Sequence, residues 1–369
     1  MRDLRNGVDP ILLSLVAVMV LGGFLVFASA ALGLFARSGA SFQNVAFNQF
    51  FFGIVGGGLA MFLTASVHYR HWRKYAFYIF LATCIIGLLV YIPGVGFTHG
   101  GATRWISVGG LTLQPAEFLK IGFIIYFATW LSGVHKQLPT FRSGTLPFLA
   151  LLAIPGAILL GQPDTDSFLI IAAAATAMFL VAGGRWRDIL LLTLLAVLLV
   201  AALAFSRPYV MDRLTSFMDP SADPQGSGYQ INQSLIAIGS GGLAGRGFGQ
   251  SVQKFEYLPE PIGDSIFAVY AEEFGFIGST LLIALFSAFT FRGFRIATEA
   301  KDLFGMLLVV GFMTFIAFQA FLNIAPMVGL APIAGIPLPF ISHGGTALLA
   351  TLAAVGIVLN VSKHRTKRR

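Results

Sequence analysis

Three carboxylates stand close together in Glu256-Tyr-Leu-Pro-Glu-Pro-Ile-Gly-Asp264, where two prolines and a glycine restrict the backbone. A second charged group, Gln114-Pro-Ala-Glu-Phe-Leu-Lys120, opens an apolar run. Pro115 suits the first turn of a helix, and Glu117 and Lys120, three apart, share a helix face and can pair. An ionisable pair in an apolar span is costly and faces the protein interior or a polar cavity. Two readings stand beside each other: a structural ion pair, or a lysine that meets a phosphate or carboxylate. Asp264 taken alone reads as a helix cap; gathered with Glu256, Glu260 and Lys120 at one surface, it reads as part of a site.

Other charged residues carry weaker signals. Glu272 and Glu273 follow about 12 Å deeper than Asp264 on a regular helix. They point about 100° apart, so at least one should bond to a neighbouring segment. Asp164 and Asp166 in Gln162-Pro-Asp-Thr-Asp-Ser167 are candidate divalent-cation ligands, although turns also favour Asp. Arg104 and Trp105 offer a cation and a flat apolar face to an anionic sugar. The six histidines make no metal spacing, no glycine-lysine phosphate loop is present, and Gly245–Gly249 does not follow a strand, so nucleotide chemistry is not expected. Cys84 has no partner in the chain, which excludes a disulfide.

The elements that must position these groups are membrane spans. Hydrophobic residues are 56% of 369, charged residues 11%, and mean hydropathy is +0.81. These values predict an all-α polytopic membrane protein forming one integral domain over 1–369. Apolar runs long enough to cross a bilayer fall near 9–35, 46–66, 75–95, 113–133, 145–162, 168–183, 189–206, 265–290, 303–325 and 345–362, the sixth being short. The net charge of +8 comes from clusters at Arg2 and Arg5, 68–74, 135–142, 185–187, 292–295 and 363–369. With ten spans they share one side, as the positive-inside rule requires. Both termini are then cytoplasmic, the long loop 207–264 faces outward, and the basic residues signal topology and anionic lipid rather than nucleic acid. Within that loop Gln230–Ile238 reads as a short amphipathic helix ended by glycines, and the apolar connection 326–344 reads as packed on the protein at membrane depth.

The chain resembles the SEDS family (shape, elongation, division and sporulation), the FtsW and RodA proteins of the bacterial cell wall. The resemblance rests on Gly101-Ala-Thr-Arg-Trp-Ile-Ser107, Gln114–Lys120, Gln162-Pro-Asp164, Gly228-Tyr-Gln-Ile-Asn-Gln-Ser234 and Gln253–Glu260. It continues through Asp264-Ser-Ile-Phe-Ala-Val269, Ala271-Glu-Glu273 and Gly335-Ile-Pro-Leu-Pro-Phe-Ile-Ser-His-Gly-Gly345. Three positions depart from the family pattern: Ile262-Gly263 replaces His-Thr, Asp164-Thr-Asp166 replaces Asp-Leu-Gly, and His343 replaces Tyr.

The resemblance implies a ten-helix enzyme of the bacterial cytoplasmic membrane that polymerises lipid II into glycan strands on the outer face. It would work with a class B penicillin-binding transpeptidase and other divisome proteins, and the Tyr-Leu-Pro-Glu form leans toward FtsW and division. Its essential aspartate matches Asp264, its fourth-span lysine Lys120, and its glutamate before Tyr-Leu-Pro Glu256. Displacing a lipid diphosphate with a sugar hydroxyl, an inverting reaction, needs a carboxylate to take the proton and cations to hold the leaving charge. On this reading Asp264 is the base, Lys120 and Arg104 neutralise phosphate, Glu256 positions Lys120, and Glu117 and Glu260 complete the binding site. A divalent cation such as Mg or Mn, with Asp264 and Asp164 as candidate ligands, is compatible; no organic cofactor is expected. Two other functions remain open: a carrier moving the undecaprenyl-diphosphate-linked precursor across the bilayer, and a scaffold for the transpeptidase without activity of its own.

Overall fold

The computed structural model describes residues 7–37, 45–99, 102–108, 111–220, 223, 226 and 228–366. The basic residues Arg2, Arg5, Lys367, Arg368 and Arg369, and Gly101 of the first outward motif, lie outside the described residues. The chain is helical almost throughout, because a backbone in hydrocarbon must satisfy its own hydrogen bonds. Among the described residues nine helices are long and apolar enough to cross a membrane. A tenth apolar helix, α6 (Thr165–Val181), has 17 residues, consistent with the short sixth run in the sequence.

In chain order the first spans are α1 (Pro10–Arg37), α2, and α3 (Tyr69–Leu88). Span α2 covers Val45–Ser66 and includes a wide-turn π stretch at Asn48–Gly56. The basic cluster 68–74 forms the N-cap and opening turn of α3. A three-stranded antiparallel sheet follows, β1 (Gly96–His99), β2 (Ala102–Val108) and β3 (Leu111–Leu113), in the order β1-β2-β3. The strands are only 4, 7 and 3 residues long, too short for an alternating pattern to stand out in the sequence. Next come α4 (Pro115–Val134), which starts at its proline as expected, α5 (Leu146–Gly161), α6, and α7 (Trp186–Ser206).

The long polar interruption carries three helices: α8 (Pro208–Met218), α9 (Tyr229–Ser240) and the single turn α10 (Gln253–Glu256). α9 is the amphipathic helix foreseen at Gln230–Ile238, slightly longer at both ends. The last spans are α11 (Ile266–Thr298), α12 (Leu303–Met327) and α13 (Gly345–Lys363). α12 and α13 form the centre, with 72% and 83% of their apolar windows buried. The connection between them buries Ala334, Ile336, Leu338, Phe340 and Ile341, as its apolar composition suggested.

The two ends of the chain meet. Asp9 is fully buried, its carboxylate held by Arg292 and Arg365, and its backbone N–H donates to Ser362 Oγ at 3.0 Å. Burial alone would raise this carboxyl, but the guanidinium groups and the Leu12 N–H outweigh it and hold it at about 2. Arg70 pairs with Asp302 at the same end, and Lys363 donates to the Ala65 carbonyl. The start of α1, the end of α2, the start of α12 and the end of α13 therefore share one basic face.

Candidate active site

At the opposite end of the bundle, where α2 and α13 begin, a cavity of about 490 Å³ opens. Five separated segments wall it: Asn48 and Phe52 of α2, Arg104 and Trp105 of the sheet with Gln114, Arg213 of α8, Glu260 to Asp264, and the connection from Gly335 into α13. Of the residues singled out in the sequence, Asp264, Glu260 and Arg104 come together here. Arg104 is oriented by backbone, donating to the carbonyls of Gln162 and Pro163. Arg213, which sequence reasoning missed, supplies a second cation. It is fixed by Asp166 at 2.9 Å, and Asp166 also accepts the Gly335 N–H at 3.2 Å. A signal was present: Pro208 starts a helix that alternates apolar residues with Asp212 and Arg213. That pattern describes a helix lying on the outer surface of the bundle.

Asp264 sits in the turn before α11. Asn323 Nδ2 donates to its backbone carbonyl at 2.9 Å, so it is tied to the buried α12. Its side chain keeps a partial opening to the cavity, while Oδ1 is buried and has no hydrogen-bond partner among the described residues. Desolvation is the main reason that its carboxyl is raised to about 7; the Glu260 charge adds to this, while Gln230 and Arg213 oppose it. Asp264 is thus a partly dry carboxyl poised near neutrality, as a general base requires. Opposite it, burial pushes the His343 imidazole down to about 4. The ring is neutral and stacks on Phe27 with centroids 6.1 Å apart. His343 is thus part of the cavity wall itself.

Lys120 is placed differently from the expectation. It is fully buried, and its ammonium donates to Glu117 at 2.7 Å and to Gln319 at 3.0 Å. Gln319 in turn donates to the carbonyl of Pro337 at 3.1 Å, a residue of the cavity wall. Lys120 and Glu117 thus brace the cavity from behind without lining it. Glu256 is exposed on α10 and takes no part in holding Lys120; the intervening Tyr-Leu-Pro turns its side chain outward while Leu258 is buried. Asp164 caps α6 by accepting from the Ser167 N–H at 3.2 Å and does not line the cavity. Among the described residues no three His, Cys, Asp or Glu side chains cluster.

The adjacent glutamates answer the question left open by their spacing, since both bond outside α11. Glu273 accepts from Ser29 of α1 and from the buried Lys254 at 2.7 Å. Glu272 accepts from Ser251 at 2.6 Å and from the Val252 and Gln253 N–H groups. Together they seat the loop after α9 against the span.

A bundle of this kind, with a charged cavity at the end opposite its basic face, is an integral membrane protein built to handle a polar group beside the bilayer. The model of the cell cycle protein family FtsW/RodA/SpoVE matches residues 10–367, and the chain belongs to that family. Stage V sporulation protein E of Bacillus subtilis is 40% identical over 347 residues, 94% of each chain. A protein of Geobacter sp. strain M18 named probable peptidoglycan glycosyltransferase FtsW is 38% identical over 360 residues, 97% of each. Among solved structures, a chain of a peptidoglycan synthase complex that coordinates polymerization and crosslinking superposes with a TM-score of 0.79 at 30% identity, covering 98% of this chain and 99% of that one. The rod shape determining protein RodA of Thermus thermophilus gives 0.69 at 28% identity, with 98% of each chain covered.

Proposed function

We propose that this multi-pass protein of the bacterial cytoplasmic membrane is a peptidoglycan glycosyltransferase that polymerises lipid II into glycan strands. The observation that carries the reading is Asp264, a carboxyl raised to about 7 and partly open to a cavity that also presents two arginines. The sequence relatives and the synthase-complex structure support the same assignment. The cavity lies opposite the basic face, which the positive-inside rule puts in the cytoplasm, so the reaction belongs on the outer side.

The step follows from the groups present. An acceptor hydroxyl oxygen attacks the anomeric carbon, the bond from that carbon to the lipid diphosphate oxygen breaks, and Asp264 takes the hydroxyl proton. Attack from the face opposite the leaving group inverts the anomeric centre. Arg213 and Arg104 hold the charge that gathers on the departing diphosphate, a role given to Arg213 in place of the buried Lys120. The polyprenyl tail would lie along the exposed apolar face of α2, whose Asn48 and Phe52 line the cavity. Asp264 and Glu260 would hold a divalent cation here, which would supply neutralising charge to the diphosphate.

A carrier fits less well, because the charged cavity residues gather at one end and the deeper ionisable groups are paired with one another. The partner is a penicillin-binding transpeptidase, of class B by the family resemblance, and the role is in division. Purified protein given fluorescent lipid II should form polymer without a partner's catalytic domain, and Asp264→Asn should abolish it with the fold retained. Normal polymer from that variant removes Asp264 from the chemistry, and translocation without polymer would favour the carrier.

A further inference from the structure

A second cavity, of about 450 Å³, lies beside the first, walled by β1, β2 and the segments 90–94 and 161–163. Its chemistry differs from the first. Tyr91, Thr98, Thr103, Gly161, Gln162 and Pro163 line it with their neighbours, and none of the lining residues is charged. The Thr98 and Thr103 hydroxyls meet at 2.8 Å across β1 and β2 and are exposed. Gln162 is only 2% exposed; its Nε2 donates to the Gly87 carbonyl at 2.7 Å, but its Oε1 has no partner among the described residues. A buried acceptor left unpaired calls for a donor. Hydroxyls, turn backbone and a tyrosine, with an unpaired amide oxygen buried just beneath them, together suit an uncharged, hydroxyl-bearing ligand rather than a phosphate.

The two cavities adjoin. Ala102 lines both, and the Arg104 guanidinium, which faces Asp264's cavity, donates to the carbonyls of Gln162 and Pro163, which wall the second. A chain of sugars with one end at Asp264 therefore has a neutral, polar recess one arginine away. We infer that this second cavity is a saccharide subsite, holding a neutral sugar unit next to the one that reacts. The inference rests on the glycosyltransferase reading above. The same chemistry could come from the trailing sugars of the growing strand or from the disaccharide of the incoming monomer.

The test uses Thr98→Val with Thr103→Val, which removes the two hydroxyls at nearly constant shape. In the Asp264→Asn background, affinity for a lipid-free tetrasaccharide cut from glycan strands should fall about tenfold, a factor equivalent to about 1.4 kcal/mol. With Asp264 intact, the double variant should shorten the product strands while the initial consumption of lipid II is unchanged, if the subsite holds the strand. A rise in KM for lipid II with unchanged strand length would assign it to the monomer, and either result supports the subsite. Unchanged tetrasaccharide affinity, KM and strand length overturn it. Should the double variant melt below the parent, Thr98→Trp, at an exposed position, blocks the recess instead and is held to the same three readouts. An Asp264→Asn protein that still polymerises would strike the parent reading, and the tetrasaccharide affinities would still judge the subsite.

Discussion

The Ser342 hydroxyl donates to the carbonyl of Gly263 at 2.6 Å, one residue before Asp264. The same oxygen accepts the Leu338 N–H at 2.8 Å, and the His343 N–H donates to Ile262 at 2.7 Å. The connection before α13 thus clasps the turn that carries the Asp264 carboxyl. Ser342→Ala leaves a part-buried carbonyl and a buried N–H without their partner, which should cost about 1–3 kcal/mol of stability. Released, Asp264 drifts from its place, and polymer formation should fall roughly 10-fold to 100-fold. Thermal melts in detergent and lipid II turnover, measured on the same preparation, check both effects.

Asp264 itself should set an acid limb in the rate. With its carboxyl at about 7, activity limited by the ionised form falls about tenfold per pH unit below that value. The stability consequence has the opposite direction. A carboxyl raised from 3.8 to about 7 favours the folded state while it is protonated. That contribution is complete below pH 3.8 and is lost as pH rises through about 7. Asp264→Asn lacks this loss, so it should melt above the parent at pH 8 by on the order of a few kcal/mol, with the gap closing toward pH 4. Equal melting at both pH values would mean that the carboxyl is well hydrated.

Arg213 tests the leaving-group role. Arg213→Ala should raise KM for lipid II more than tenfold, the scale of losing one charge-assisted contact. Arg213→Lys should recover only part, because a point charge does not reproduce the fork that also engages Asp166. An unchanged KM in both variants would leave Arg213 as a brace for Asp166 and α8.

Much of this arrangement is visible in the sequence, for stated reasons. Spans announce themselves as apolar runs, Pro115 marks the start of α4, and the Glu117–Lys120 spacing is that of the observed pair. What one dimension hides is depth and partnership. Nothing in Gln114–Lys120 tells whether Lys120 faces a cavity or Gln319, a residue 199 positions away. Arg213 comes to the site only because α8 folds back onto Asp166. Glu256 and Glu260 are four residues apart, yet the positive φ of 44° at Glu260 turns the chain so that only Glu260 reaches the cavity.

The Glu117–Lys120 pair is nearly solvent-free, with side-chain exposures of 2% and 1%. Breaking a buried pair on one side strands the other charge, so Glu117→Gln should cost about 3–5 kcal/mol. Removing both charges with Glu117→Leu and Lys120→Met should recover most of that loss. A double variant no more stable than the single one would show that the lost Lys120 contact with Gln319 weighs as much as the stranded charge. Melting temperatures of the parent, Glu117→Leu, Lys120→Met and the double variant close the cycle.

The last relationship concerns how a polar loop survives beside a span. α11 is interrupted at Gly275, whose φ of 65° and ψ of −163° suit glycine alone. Into the break the loop after α9 inserts its backbone. Arg246 and Gly247 donate to the carbonyls of Glu272 and Glu273, while Phe276 and Ile277 donate to Gly242 and Leu243. The groups freed by the broken helix are thereby satisfied without water. Gly245, at φ 82°, packs so closely on the Glu273 and Phe274 backbone that a methyl group has no room. Gly275→Ala and Gly245→Ala should each cost at least about 3 kcal/mol, strain and overpacking together. Gly239→Ala, within α9 and facing open space, should be neutral or stabilise by about 0.4–1 kcal/mol. If all three variants melted alike, the loop would not be seated in the break, and Glu272, Glu273 and Lys254 would need another explanation.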